Sequence, residues 1–177
     1  MSAVSVAGTM LSEQNIVLYG AGSAGLGIVR QVRDAMVALD GIDKAEATKR
    51  FWLVDKHGLV TREIAAQEKR PGWEEFAHDR DGEGSDGGLL AVVKRAKATV
   101  LIGTSTHSGG FTEDVIKALS ANTEYPIVLP LSNPSRLVEV EPQRAMEWSE
   151  GRALIATGSP FPEVGLPNGK KAMCVDA

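Results

Sequence analysis

Short apolar runs alternate along the chain with segments in which apolar positions recur every three or four residues. Such runs, closed by glycine or a polar residue, are typical of buried strands, and the intervening periodicity is typical of amphipathic helices. The pattern predicts strands at 15–19, 51–54, 99–102, 127–129 and 153–156. It predicts helices at 24–39, 89–97, from 112 onward and at 142–148.

The order of these elements indicates the fold class. Strands that alternate with helices favour a parallel sheet covered on both faces, because each parallel pair needs a crossover connection. We therefore predict one Rossmann-like, doubly wound α/β domain over residues 1–177, with a mainly parallel sheet. We expect 1–12 to be the remnant of a preceding helix and 165–177 to be an irregular tail. Ligands of such sheets bind beyond the carboxyl ends of the strands.

Composition narrows the classes of protein that remain. The 177 residues are 43% hydrophobic, which suffices for one domain with a core. The net charge of −4 and the scattered basic residues argue against nucleic-acid binding. No apolar stretch reaches the ~20 residues of a membrane span, so we expect a cytoplasmic protein, with a mitochondrial location as the alternative. The single cysteine, Cys174, excludes an internal disulfide, and the polar stretch 79–88 predicts a surface loop.

A glycine motif follows the first strand and opens the first helix: Gly20-Ala21-Gly22-Ser23-Ala24-Gly25. The bare pattern is weak, but this context favours a dinucleotide-binding turn over a glycine-rich turn without a ligand. Gly20 would allow the tight turn and Gly22 the close approach of a pyrophosphate. Gly25, together with Gly27, would let the helix pack closely on the sheet. Backbone N–H groups at the start of the helix would hold the phosphates.

Asp55 closes the second predicted strand. A carboxylate at this position can accept hydrogen bonds from both ribose hydroxyls of an adenosine, although the spacing from the glycine motif exceeds the usual ~20 residues. The extra residues fit in the polar segment 41–50. An acid here favours NAD, since it would repel a 2′-phosphate, but Lys56, Lys69 or Arg70 could compensate, so NADP stays open. The alternative is a solvated loop aspartate.

Two more strand ends carry candidate side chains. Thr104 and Ser105 follow the third strand, where small hydroxyl residues leave room for the nicotinamide ribose and can bond to it, or can bond only local backbone. His107 lies nearby without an evident partner and is interpreted as a loop residue. Asn133 follows the fourth strand between two prolines. Its amide donor and acceptor would suit a substrate carboxylate or hydroxyl, or the nicotinamide, and a plain turn is an equal alternative.

The motifs taken together resemble malic enzymes, through the segments 15–27, 52–61, 101–118, 126–134 and 147–164. The resemblance implies an NAD- or NADP-dependent oxidoreductase whose full-length form decarboxylates malate to pyruvate and CO2, commonly as a homo-oligomer. It implies that the glycine motif holds the cofactor pyrophosphate and that Asp55 meets the adenosine ribose. It also implies that Asn133 lies at the nicotinamide and the malate.

The resemblance further implies which parts of the site this chain lacks. Malic enzymes hold Mg2+ or Mn2+ with acidic residues that precede the glycine motif, and their catalytic Lys and Tyr come earlier still. We therefore expect a fragment with no catalytic residue and no metal ligand of its own, inactive alone; the alternative is a non-catalytic or degraded nucleotide-binding module. Trp73 and Phe76 are expected to be exposed where a partner domain would pack.

Overall fold

The computed structural model describes residues 2–79, 87–165, 171–172 and 175–176, so most of the predicted loop 79–88 and Cys174 lie outside the described residues. The helices in this part of the chain are α1 (Ser2–Ala7), α2 (Ser23–Asp40), α3 (Lys44–Thr48), α4 (Arg62–Glu68), α5 (Trp73–Phe76), α6 (Leu89–Arg95), α7 (Glu113–Asn122) and α8 (Pro142–Trp148). The strands are β1 (Ile16–Tyr19), β2 (Phe51–Asp55), β3 (Gly58–Leu59), β4 (Val100–Gly103), β5 (Ile127–Pro130), β6 (Leu154–Thr157), β7 (Val164–Gly165), β8 (Lys171–Ala172) and β9 (Val175–Asp176). None of the helices within these ranges is long and apolar enough to cross a bilayer.

One sheet organises the domain, with strand order β3-β2-β1-β4-β5-β6-β9. All neighbours in it are parallel except β2 and β3, which are antiparallel. The chain order reverses at β1, which pairs with β2 on one side and with β4 on the other. This switch point opens a crevice at the carboxyl ends of the strands. The predicted Rossmann-like α/β class is confirmed.

The sheet is buried on both faces, as its apolar strands predict. Val17, Leu101 and Val128 belong to a core shared with α6 and α7 on one face. Leu18 and Ile102 belong to a second core that α2 covers on the other face. Successive strand side chains point to opposite faces, so each short apolar strand contributes side chains to both cores. The five predicted strands match β1, β2, β4, β5 and β6 to within one residue.

Two regions depart from the predicted pattern. The segment 165–177 is not wholly irregular, because β9 extends the sheet through parallel pairing of Ala156 with Val175 and Thr157 with Asp176. The segments between β1 and α6 that carried no predicted element contain α3, α4 and α5. These helices are too short for a helical period to show in the sequence. Local caps mark two of them: the side chain of Asp43 accepts the Ala45 N–H, and that of Thr61 accepts the Ile64 N–H.

The expected exposure of Trp73 and Phe76 is wrong. Their exposed fractions are 0% and 2%, because α5 folds back onto the sheet instead of projecting toward a partner. The Phe76 ring meets Phe51 of β2 edge-on, with 5.6 Å between ring centroids. The Trp73 indole nitrogen donates a hydrogen bond of 2.8 Å to the carbonyl of Ala21, in the glycine motif. α5 therefore supports the candidate site from inside the protein.

A buried arginine fastens α5 to α2. Arg33 is 6% exposed, and its guanidinium lies 5.4 Å from the centroid of the Phe76 ring. It donates to Glu75 at 3.0 Å and to Asp34 at 2.9 Å. Glu75 also accepts hydrogen bonds from the more exposed Arg30. A buried guanidinium is tolerated only with such acceptors, so Glu75 holds the two helices together.

We expect Glu75→Gln to lower the free energy of unfolding by about 1–3 kcal/mol at neutral pH, because Arg33 then keeps only the exposed Asp34 as a charged acceptor. The hydrogen bond from Arg30 is the main cause that holds the pKa of Glu75 below its usual value. The hydrogen bond from Arg33 acts in the same direction, and burial acts against both. A lowered carboxyl pKa stabilises the fold above the unfolded-state pKa, and this stabilisation is lost as the pH falls through the native pKa. The difference between the variant and the wild type should therefore shrink in acid.

Urea unfolding at neutral pH and across the acid range measures this difference. Glu124→Gln is the matched control, because Glu124 is an exposed residue. Equal unfolding free energies for Glu75→Gln and the wild type at neutral pH would show that the contact does not stabilise the fold.

Candidate functional site

The glycine motif forms a tight turn between β1 and α2. Gly20 has a φ of 98°, and a Cβ on it would lie 2.5 Å from the backbone of Ser105, so only glycine fits. A Cβ on Gly25 would lie 2.6 Å from the Gly20 carbonyl oxygen. Gly25 therefore lets α2 approach the turn, as predicted from the motif.

The remaining motif residues face open space. A Cβ on Gly22 would meet nothing within 4 Å, and Ser23 and Ala24 are exposed in the first turn of α2. Gly27 also has open space around its Cβ position, so the packing role expected of it is wrong: it faces solvent. The missing side chain at Gly22 leaves the helix N-terminus accessible, and the N–H groups there have no partner within the helix.

Asp55 lies at the end of β2 beside this turn. One carboxylate oxygen accepts the Ala21 N–H at 2.9 Å, and the other accepts the Lys56 N–H at 2.9 Å. The side chain is thus aimed at the glycine turn and keeps lone pairs free, since each carboxylate oxygen has two.

Thr104 and Ser105 lie in the turn after β4, and their hydroxyl protons are used within the protein. Thr104 Oγ1 donates to the Gly20 carbonyl at 2.6 Å. Ser105 Oγ donates to Glu139 at 2.9 Å. Each hydroxyl has one proton and two lone pairs, so toward a ligand these two groups can act only as acceptors.

Glu139 is a site residue that the sequence reasoning missed. It is fully buried, and its carboxylate accepts hydrogen bonds from the backbone and hydroxyl of both Ser105 and Ser132. Gly103 makes room for it, because a Cβ there would lie 2.6 Å from Glu139 Oε2. The available signal was a charged residue between two apolar ones, Val138 and Val140.

Asn133 lies in the turn after β5, and it contacts the turn after β6. Its Nδ2 donates to the Gly158 carbonyl at 3.0 Å, and its Oδ1 accepts the Ser159 hydroxyl. Asn133 is exposed, with one amide proton and one lone pair left over. The structure therefore brings the candidate residues of β1, β2, β4 and β5 to one edge of the sheet.

A cleft of about 370 Å³ opens between the glycine turn and the turn after β4, lined by Tyr19, Gly20, Asp55, Lys56, Ser105 and His107. His107 does have a partner: its Nδ1 lies 2.6 Å from the Tyr19 hydroxyl. Burial first, and then the charges of Glu139 and Asp55, raises the pKa of Tyr19. Tyr19 therefore stays a neutral phenol at physiological pH. The pair is separated by 88 residues, so no local pattern could predict it.

The basic residues near the cleft share one acidic partner, Glu68. Lys56 Nζ lies 3.4 Å from Glu68 Oε2, and His57 Nε2 lies 3.0 Å from Glu68 Oε1. Arg70 Nε lies 4.0 Å from the same carboxylate. The negative charge of Glu68 thus offsets the basic residues that could accept a 2′-phosphate.

The donor set suits a diphosphate and a ribose, and it does not suit a metal ion. Among the residues that the structure describes, no group of three or more His, Cys, Asp or Glu side chains could hold a metal. The helix N-terminus attracts anions, and the carboxylate of Asp55 accepts hydroxyl protons.

Comparison with known proteins places these features in one family. The model of the malic enzyme NAD-binding domain matches residues 1–177. NAD-dependent malic enzyme 3 of Bacillus subtilis is 44% identical over 160 residues, which cover 87% of this chain and 28% of that protein. The malolactic enzyme of Lactococcus lactis is 40% identical over 159 residues, covering 88% of this chain and 29% of that protein.

A solved structure shows the same fold. The NAD-dependent malic enzyme of Thermotoga maritima matches with a TM-score of 0.68 and 22% identity, over 94% of this chain and 38% of that chain. The present chain spans less than a third of the length of the two curated relatives. With the family model matched along residues 1–177, the chain belongs to the malic enzyme family, as its NAD-binding domain.

Proposed function

We propose that this chain binds NAD at the carboxyl edge of its sheet and, within a longer enzyme, serves the oxidative decarboxylation of malate to pyruvate and CO2. The observation that carries the proposal is the open space at Gly22. It lies between a turn that only glycine can make and the N-terminus of the 18-residue helix α2. Backbone N–H groups and the helix dipole favour a pyrophosphate at such a place.

The other contacts follow from the order of the strands. Asp55, one strand away from the turn, would accept the adenosine ribose hydroxyls. Asn133, two strands away on the other side, would meet the nicotinamide and the malate. When bound, NAD supplies the acceptor for the hydride that leaves the substrate. The chain's own residues bind and orient it.

The charges at the cleft favour NAD over NADP. The Asp55 carboxylate would lie against a 2′-phosphate, and Lys56 is already paired with Glu68. This preference agrees with the NAD-dependent relative from Bacillus subtilis.

The cofactor site does not by itself decide which reaction the whole protein performs. A malolactic enzyme has a domain 40% identical to this one. Assembly into homo-oligomers and a cytoplasmic or mitochondrial location stay predictions. A requirement of the full-length enzyme for Mg2+ or Mn2+ also stays a prediction.

The decisive variant for NAD binding is Gly22→Ala. A methyl group there meets nothing in the protein, so the melting temperature should stay within about 2 °C of the wild type. The same methyl would hold a pyrophosphate away from the helix N–H groups. We expect the Kd for NAD to rise at least about tenfold, as measured by isothermal titration calorimetry.

Gly27→Ala is the matched control, because its Cβ also meets open space but lies beyond the turn. It should bind NAD like the wild type. Unchanged NAD affinity in Gly22→Ala, or no NAD binding by the wild type, would contradict the proposal.

A second prediction concerns cofactor preference. Asp55→Asn keeps an acceptor for the Ala21 N–H but removes the negative charge. The affinity for NADP should rise relative to that for NAD by about tenfold, because the repulsion of the 2′-phosphate is gone. Calorimetric Kd values for the two cofactors give the ratio, with Asp43→Asn, at the cap of α3, as the control for a distant aspartate. A constant ratio would assign the preference to other residues.

A third prediction concerns turnover. Within the described residues no side-chain cluster could hold a metal, so we expect this 177-residue chain to form no NADH from malate and NAD with Mn2+. The absorbance of NADH measures it, and a full-length NAD-dependent malic enzyme serves as the positive control. Malate-dependent NADH formation that persists after repurification of the chain would refute the expected inactivity.

A further inference from the structure

We propose that Glu139 is a positioning residue: its buried carboxylate sets the spacing between the turns after β4 and β5, and so fixes the half of the cleft that receives the nicotinamide end of NAD. The inference rests on the proposed function, because it assigns Glu139 a role in NAD binding. This carboxylate joins two turns that each carry candidate site residues.

Four donors converge on this one side chain, which is 0% exposed. Oε1 accepts the Ser105 N–H at 2.8 Å and the Ser105 hydroxyl at 2.9 Å. The Ser132 hydroxyl also donates to Oε1, and the Ser132 N–H lies 3.4 Å from Oε2. Glu139 thus accepts hydrogen bonds from the backbone N–H and the hydroxyl of Ser105 in one turn and of Ser132 in the other.

Further contacts direct the protons of the two serine hydroxyls toward Glu139. Ser105 Oγ accepts the His107 N–H at 3.1 Å, and Ser132 Oγ accepts the Thr106 N–H at 2.9 Å. Each hydroxyl therefore accepts from a backbone amide and has only its own proton to give. A site surrounded by donors in this way is suited to a carboxylate, which is an acceptor only.

This contact lies just past the point where the backbone ladder ends. The last backbone hydrogen bond of this ladder runs from Leu131 N to the Gly103 carbonyl at 2.8 Å, and backbone bonds between the two segments resume only at Gly109 N with the Val138 carbonyl and at Phe111 N with the Glu139 carbonyl. Between these backbone bonds, side chains set the spacing of the two turns. Ser105 follows Thr104, and Ser132 precedes Asn133, so a shift of either serine moves a candidate site residue with it.

Stability alone does not account for an acid at this position. Burying a carboxylate is costly, and its hydrogen bonds do little more than offset that cost, so apolar groups of matching shape would stabilise the fold as well. A carboxylate instead gives a defined distance and direction between the two turns. The absence of a Cβ at Gly103, where it would lie 2.6 Å from Oε2, leaves room for this geometry.

The test compares NADH with AMP as ligands of the 177-residue chain. Glu139→Gln keeps the shape but brings two N–H donors among four others. We expect it to raise the Kd for NADH about tenfold, measured by NADH fluorescence, and to leave the Kd for AMP within about twofold. AMP covers only the adenosine end, which Asp55 and the glycine turn would hold. Glu141→Gln, an exposed glutamate two residues away, is the matched control and should bind both ligands like the wild type.

Two further measurements test the same role of Glu139. Gly103→Ala displaces the carboxylate from the opposite side and should show the same selective loss of NADH binding. Amide hydrogen exchange without cofactor should become faster at Ser105, Thr106 and Ser132 in Glu139→Gln and stay unchanged at Ala21.

The remaining outcomes would contradict either this inference or the proposed function. Equal losses of NADH and AMP binding together with lower stability would make Glu139 a structural residue only and overturn the inference. Unchanged NADH binding would overturn it as well. A wild-type chain that binds neither ligand would overturn the proposed function, and the exchange rates would then decide alone whether Glu139 holds the two turns.

Discussion

Hydrogen bonds from side chains join the turns that follow the parallel strands, and the candidate site depends on the spacing they set. Inside the sheet, the backbone ladder fixes the distance between strands, but the ladder ends where the strands end. Past that edge, each turn is fastened to its neighbour: Asp55 to Ala21, Thr104 to Gly20, Glu139 to Ser105 and Ser132, and Asn133 to Gly158. The fastenings run without a gap from β2 to β6, so an extended ligand meets one continuous surface.

The glycines at this edge of the sheet are needed for different physical reasons, and the atoms around each glycine show which reason applies. Gly20, Gly25 and Gly103 each lie where a Cβ would collide with a neighbouring turn or side chain, so the fold itself requires them. Gly22 meets no such obstacle and has an ordinary negative φ of −79°. Nothing within the described protein explains the absence of a side chain there. The proposed binding of a pyrophosphate at the helix N-terminus would explain it.

The sequence predicted the parts of the structure that local patterns determine. Strand positions, the glycine turn and the location of Asp55 depend on short apolar runs and on the residues that end them. Sequence reasoning failed where distant segments decide the outcome: Trp73 is buried because α5 folds back under the turn, and β9 is a strand because it finds the edge of β6. Glu139 belongs to the same group. Its role arises from two serines on separate strands, although a glutamate between two valines was an available sign of a buried acid.

The hydrogen bonds that hold the glycine turn in place also determine which of its backbone groups can bind a ligand. The Ala21 peptide is held from two sides, since its N–H meets Asp55 and its carbonyl meets the Trp73 indole. The Gly20 carbonyl accepts the Thr104 hydroxyl. Because these groups already have partners, the backbone donors left for an anion are those of the first turn of α2, which an α-helix cannot satisfy internally. The turn therefore presents donors and hides its acceptors, and this polarity is what a diphosphate requires.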